Sequence, residues 1–95
     1  MPEIPDLTGE WRGTDGETVR IAHHGDHIRL AIASGFGFAI GEGSGNIRQG
    51  EIDFHLHRRD FGNGRGRASV APSGRQISGE VMYNGQHFGF SLTRM

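Results

Sequence analysis

Apolar side chains fall on alternate positions through most of this chain. Within successive segments one parity carries Leu7, Gly9 and Trp11, then Val19, Ile21 and His23, then Ile28, Leu30 and Ile32, then Phe36, Phe38 and Ile40. The pattern resumes with Ile52, Phe54 and Leu56, with Ala68 and Val70, with Ile77, Val81 and Tyr83, and with Phe88, Phe90 and Leu92. Between them stand Thr18 and Arg20, Arg29, Asp53, His55 and His57, Arg65 and Arg67, and Ser78 and Glu80. A period of two is that of a strand with one face in a core and the other in water. No segment competes with a helical period, and the abundant glycine would weaken any helix.

Glycine divides the pattern. The chain has 17 glycines in 95 residues, and turn pairs fall at Asp15-Gly16, Gly25-Asp26, Ser34-Gly35, Ser44-Gly45, Asn63-Gly64, Ser73-Gly74 and Asn84-Gly85. Such pairs accept the positive φ of tight hairpins, and a spacing near ten residues suits an all-β sandwich or barrel. Seven turns separate eight strands. An open sheet of eight strands exposes two edges to other chains, whereas closure removes both. The prediction is an all-β, eight-stranded antiparallel up-and-down barrel, with a β-sandwich as the alternative. Residues 46–60 are the irregular stretch, where Gly50 marks a bulge or an extra turn. Residues 1–6 read as an N-terminal tail and 7–95 as a single barrel domain.

The run Leu7-Thr8-Gly9-Glu10-Trp11 contains the only tryptophan, and Arg94 continues the inward parity of the last strand. Gly9-Glu10-Trp11 together with Arg94 resembles the calycin barrels. In lipocalins a Gly-x-Trp on the first strand packs against a basic residue of the closing strand. The opening is also similar to avidin-type chains, in which a Leu/Ile-Thr-Gly-x-Trp strand turns into an alternating second strand. The resemblance implies that Trp11 and Arg94 form a latch across one barrel end, with Trp11 as a ligand platform the competing role. A guanidinium over an indole contributes roughly 0.5–2 kcal/mol. Biotin chemistry does not follow, because the polar positions after the tryptophan fall at Gly13 and Glu17 and the further tryptophans are missing.

The inward aromatic residues either fill the barrel or surround a small apolar pocket. In the second case the candidate ligand-binding residues are Trp11, Phe36, Phe38, Phe54, Tyr83, Phe88 and Phe90, with Tyr83 and His23 supplying polar groups that orient the ligand. A short fatty acid or an apolar dye is the natural probe. The expected function is that of a non-catalytic binding module for a small apolar or amphipathic ligand. The alternative is a structural or protein-interaction domain with a filled core.

Other chemistry finds little support. His55 and His57 share a strand face, but that face is outward and lacks an evident third ligand, so no metal site and no cofactor are expected. The stretch from His55 to Arg67 is rich in arginine, yet a net charge of −1 does not suit a nucleic-acid partner. There is no phosphate loop, nucleophile elbow or paired inward carboxylate, so no enzyme activity is expected. The absence of cysteine, signal segment or long apolar run points to a cytoplasmic chain without a membrane partner.

Small residues on the outward parity, Ala31, Ala33, Gly37, Ala39 and Gly41, would let a second barrel approach closely. They predict a homo-oligomer, with a dimer favoured because closed two-fold interfaces are commonest. The competing explanation is a glycine-rich strand that curves tightly.

Overall fold

The computed structural model describes residues 6–95. Its elements are β1 (Gly9–Gly13), β2 (Thr18–His24), β3 (His27–Ala33), β4 (Ala39–Arg48), β5 (Glu51–Arg58), β6 (Gly62–Val70), β7 (Gln76–Tyr83) and β8 (Gln86–Arg94). Each pairs antiparallel with its chain neighbours, and β1 pairs with β8, so the sheet closes into an eight-stranded up-and-down barrel. The seam is short: Trp11 opposes Arg94, Arg12 opposes Thr93, and Gly13 opposes Leu92. Among the described residues no helix is long and apolar enough to cross a membrane. Residues 1–5 of the expected tail lie outside the described ones, whereas Leu7 is already fully buried.

The period-2 pattern places the core. Trp11, Leu7, Ile21, Ile28, Ile47 and Ile77 are the largest side chains fully buried within it. Asp53, His55 and His57 alternate outward between Ile52, Phe54 and Leu56. Asn84 and Gly85 both adopt positive φ, 51° and 82°, the I′ geometry that matches the twist of a two-residue hairpin.

Two expected turns lie elsewhere. Ser44-Gly45 and Asn63-Gly64 are inside β4 and β6. The chain reverses instead at Gln49-Gly50, where φ is 54° and 80°, and at residues 59–61. Gly50 is therefore the β4–β5 hairpin. The displaced glycines point inward and make room for bulky neighbours. Gly45 and Gly66 both oppose Phe54, Gly43 opposes Leu56, and Gly64 opposes Tyr83. A Cβ at Gly64 would lie 2.5 Å from Tyr83 Cε1, and one at Gly66 would lie 2.5 Å from Phe54 Cζ. Large rings thus lie over bare backbone, and along β4 and the first half of β6 the barrel wall pairs a large side chain with an absent one.

Phe36 and Phe38 do not face the interior, contrary to their parity; they are 92% and 71% exposed. Strand β4 begins only at Ala39, because Ser34 closes a loop on itself. Its N–H donates to Phe38 O at 2.8 Å, its carbonyl accepts from Gly37 N–H at 2.8 Å, and its Oγ accepts from Phe36 and Phe38 N–H at 3.3 and 3.2 Å. The backbone amides turn toward Ser34, and the two rings project into solvent. A register shift between Ile32 and Ala33 then changes which residues of β4 face inward.

That shift also breaks up the expected small-residue face. Gly41 opposes Ile32 on the inner surface, while Glu42 opposes Ala31 outside. Gly37 sits in the loop at a φ of 91°. Ala31, Ala33 and Ala39 remain, but with a carboxylate side chain beside Ala31 they do not form a continuous stripe.

Candidate functional site

An up-and-down barrel gathers alternate turns at each end. Residues 14–17, 34–38, 59–61 and 84–85 connect strands at one end; the remaining turns and both ends of the described chain lie at the other.

The end at which the described chain starts and finishes is closed. Trp11 Nε1 donates to Leu7 O at 2.9 Å, satisfying the indole where water is excluded. The Arg94 guanidinium lies 5.2 Å from the centre of the Trp11 ring. Its nitrogens donate to Asp6 O at 2.9 Å and Thr8 O at 3.0 Å. Arg94 therefore stacks on the indole and ties down the chain segment that precedes β1. His23 belongs to this end as well. Its Nδ1 accepts from Leu7 N–H at 3.2 Å, which leaves the proton on Nε2 for donation to Gly25 O at 2.7 Å. Both ring nitrogens are engaged in holding backbone, so His23 is not placed to orient a ligand.

The other end opens into a cavity of about 310 Å³, near the lower limit of ordinary small-molecule sites. Ile21, Ile28 and Ile77 line its deep part; Leu30, Leu56 and Phe90 line its wall. Phe54 meets Phe90 edge to face at a centroid distance of 5.8 Å. Of the expected ligand-binding residues, the structure brings Phe54, Tyr83, Phe88 and Phe90 to this chamber. Trp11, His23, Phe36 and Phe38 do not line it.

Three rings form a collar at the opening. Phe61 stacks on Tyr83 at 5.2 Å, Phe61 lies 5.7 Å from Phe88, and Tyr83 lies 5.9 Å from Phe88. Arg58 crosses beside them, 5.1 Å from the Phe61 ring centre. It is the last residue of β5 and continues the inward parity of Phe54 and Leu56. Its neighbours across both ladders are glycines, Gly41 and Gly62, so nothing obstructs its path over the mouth. There it binds Glu17 through Nη1–Oε1 at 2.8 Å and Nη2–Oε2 at 2.7 Å. It also binds Asp60 through Nε–Oδ1 and Nη2–Oδ2, both 2.8 Å. The Arg58 side chain is only 11% exposed and that of Glu17 22%. These paired contacts raise the Arg58 pKa and hold the Asp60 carboxyl below its usual range, with the hydrogen bond from Arg58 the main cause for Asp60.

Arg58, Glu17 and Phe61 were absent from the expected site. For Arg58 the signal was available, since it lies two positions beyond Leu56 on the inward parity. Glu17 had none, because it reaches the mouth from a turn, 41 residues away in sequence.

Burial pushes the Tyr83 phenol above its ordinary pKa of 10.0, and this outweighs the lowering effect of Arg58. A raised pKa means that the fold favours the neutral phenol, a hydrogen-bond donor at neutral pH. This contribution to stability is present below the unfolded pKa and is lost as pH rises through the folded value. Tyr83 is the only tyrosine, so the phenolate absorbance band reports it alone. Its midpoint is expected above 10.0 in the folded protein and at the ordinary value in strong denaturant; equal midpoints would place the phenol in water.

The outer surface divides the remaining sequence candidates. His57 Nδ1 contacts Asn63 Oδ1 at 2.8 Å, and Arg67 donates to Asp53 at 3.1 Å. The arginine-rich stretch is thereby split, with Arg58 drawn into the mouth and Arg67 paired outside. Among the described residues no group of His, Asp and Glu is placed to hold a metal ion. The sequence matches no protein-family model and no curated protein.

Proposed function

We propose that the protein is a non-catalytic binding module whose barrel holds one small apolar or amphipathic molecule. The observation that carries this reading is the 310 Å³ cavity lined by aliphatic and aromatic side chains and open at one end. The inner glycines explain how it arises: they remove wall side chains opposite Phe54, Leu56 and Tyr83, and those residues settle against backbone instead of across the chamber. An apolar guest gains roughly 25 cal/mol for each Å² of apolar surface it removes from water. The collar of Phe61, Tyr83 and Phe88 supplies aromatic faces where the guest enters.

The test uses N-phenyl-1-naphthylamine, an uncharged apolar dye that fluoresces when removed from water. Addition to the protein is expected to raise its fluorescence to a plateau at one dye per chain and to raise the melting temperature. Leu30→Trp extends an indole into the chamber; it is expected to retain the β-sheet circular dichroism of the wild type and to lose dye binding. A filled core would instead make Leu30→Trp destabilising by about 1–3 kcal/mol. No dye signal, or equal dye affinity in the Leu30→Trp protein, would overturn the reading.

A further inference from the structure

We infer that the mouth of the chamber selects amphiphiles with a cationic head group and rejects those ending in a carboxylate. The inference rests on the proposed chamber and specifies which guest it takes.

An arginine beside an apolar cavity would ordinarily suggest a fatty-acid site, because a guanidinium matches a carboxylate in two-pronged fashion. Arg58 is not available for that. A guanidinium has five N–H donors, and four hydrogen bonds already run from Arg58 to the carboxylates of Glu17 and Asp60. One donor is left, so a two-pronged grip on an entering carboxylate would require displacing one of these partners, of which Glu17 sits in a partly buried position where an unpaired carboxylate is costly.

The charge at the opening works in the same direction. The turns at this end carry the carboxylates of Asp15, Glu17 and Asp60 and the guanidinium of Arg59, and Arg58 ends β5 beside them, three negative charges to two positive. Arg58 with its two partners Glu17 and Asp60 carries one net negative charge, and Asp15 offsets Arg59, so the excess that meets a guest's head group is negative. The Phe61 ring is already taken by Arg58 and Tyr83, but Tyr83 and Phe88, 5.9 Å apart, add ring faces at the opening, and such faces attract cations through their quadrupoles. Shape therefore admits the tail, while charge and ring faces choose the head.

The experiment is competition between the dye and two probes of equal chain length, n-octylamine and sodium octanoate, at neutral pH and low ionic strength. Octylammonium is expected to displace the dye at a concentration about tenfold or more below that of octanoate. Glu17→Gln removes one negative charge and, with one acceptor oxygen left, releases one donor of Arg58, so the preference is expected to shrink toward parity through tighter octanoate binding. Asp60→Asn asks the same question from the exposed side of Arg58, should Glu17→Gln fail to fold. Equal or tighter binding of octanoate by the wild type, or an unchanged ratio in a folded variant, would overturn the inference while leaving the chamber intact. Absence of dye binding at the outset would instead remove the chamber reading itself.

Discussion

Urea denaturation of Trp11→Ala is expected to show a loss of about 3–5 kcal/mol, the range for truncating a large aromatic side chain in a core. Trp11 is fully buried, so its removal leaves a void instead of a wetted surface. Two further contacts are lost with the ring. Leu7 O loses the indole N–H that meets it at 2.9 Å, and Arg94 loses the surface over which it lies at 5.2 Å. The seam between β1 and β8 is the barrel's least extensive pairing, with three opposed residue pairs. A domain of this size has a total stability of about 5–14 kcal/mol at roughly 0.05–0.15 kcal/mol per residue. Far-UV circular dichroism is the appropriate readout, because the substitution removes the only tryptophan. Trp11→Phe is expected to cost less, since the ring that supports Arg94 remains. A loss below about 1 kcal/mol for Trp11→Ala would mean that the seam does not depend on the indole.

Gly45→Ala is expected to be comparably damaging although it adds a single methyl group, with a cost of about 3 kcal/mol, the upper part of the usual range for overpacking. Its Cβ would meet the Asp53 carbonyl oxygen and lie 2.8 Å from both Cα and Cβ of Phe54. These are backbone atoms and the root of a side chain, which move only if β4 and β5 separate. Gly89→Ala is the control. Its Cβ would find a single neighbour, Gly79 O at 3.9 Å, and its backbone does not require positive φ. That substitution is expected to be neutral or to stabilise by about 0.4–1 kcal/mol through the unfolded chain. Equal effects at the two positions would show that the inner glycines are tolerant of side chains.

These glycines also explain what was legible in the sequence. Alternation identified the inward faces of β2, β3, β5, β7 and β8, because large apolar residues mark them. It marked Ala68 and Val70 in the second half of β6 but was silent over the first half of β6 and most of β4, where the inward residues include Gly41, Gly43, Gly45, Gly64 and Gly66. Glycine carries no hydropathy signal, and next to Ser44 or Asn63 it reads as a turn. The real turn at Gln49-Gly50 lacks the Asn or Asp that usually announces a positive φ. Phe36 and Phe38 failed for a different reason. Their alternation is that of a strand, yet the hydrogen bonds of Ser34 turn the segment into a loop, and apolar side chains do not prevent that when the loop faces solvent.

The two barrel ends differed in legibility as well. Trp11 and Arg94 sit at the start and finish of the sheet, where closure forces first and last strands together. The mouth is assembled from Glu17, Arg58, Asp60 and the collar rings, drawn from two turns and three strands. Parity places Arg58 on the inward face beyond Leu56, but nothing in a single strand's pattern predicts that it crosses the mouth to pair there. Arg58 does so because Gly41 and Gly62 flank it and two carboxylates await it.

The outer Phe36 and Phe38 supply a competing place for an apolar dye, so where the dye sits decides the account. Isotope-filtered NOE spectroscopy of the N-phenyl-1-naphthylamine complex provides that location. Cross-peaks from the dye to Leu30, Leu56 and Phe90 are expected; cross-peaks confined to Phe36 and Phe38 would contradict a guest within the barrel.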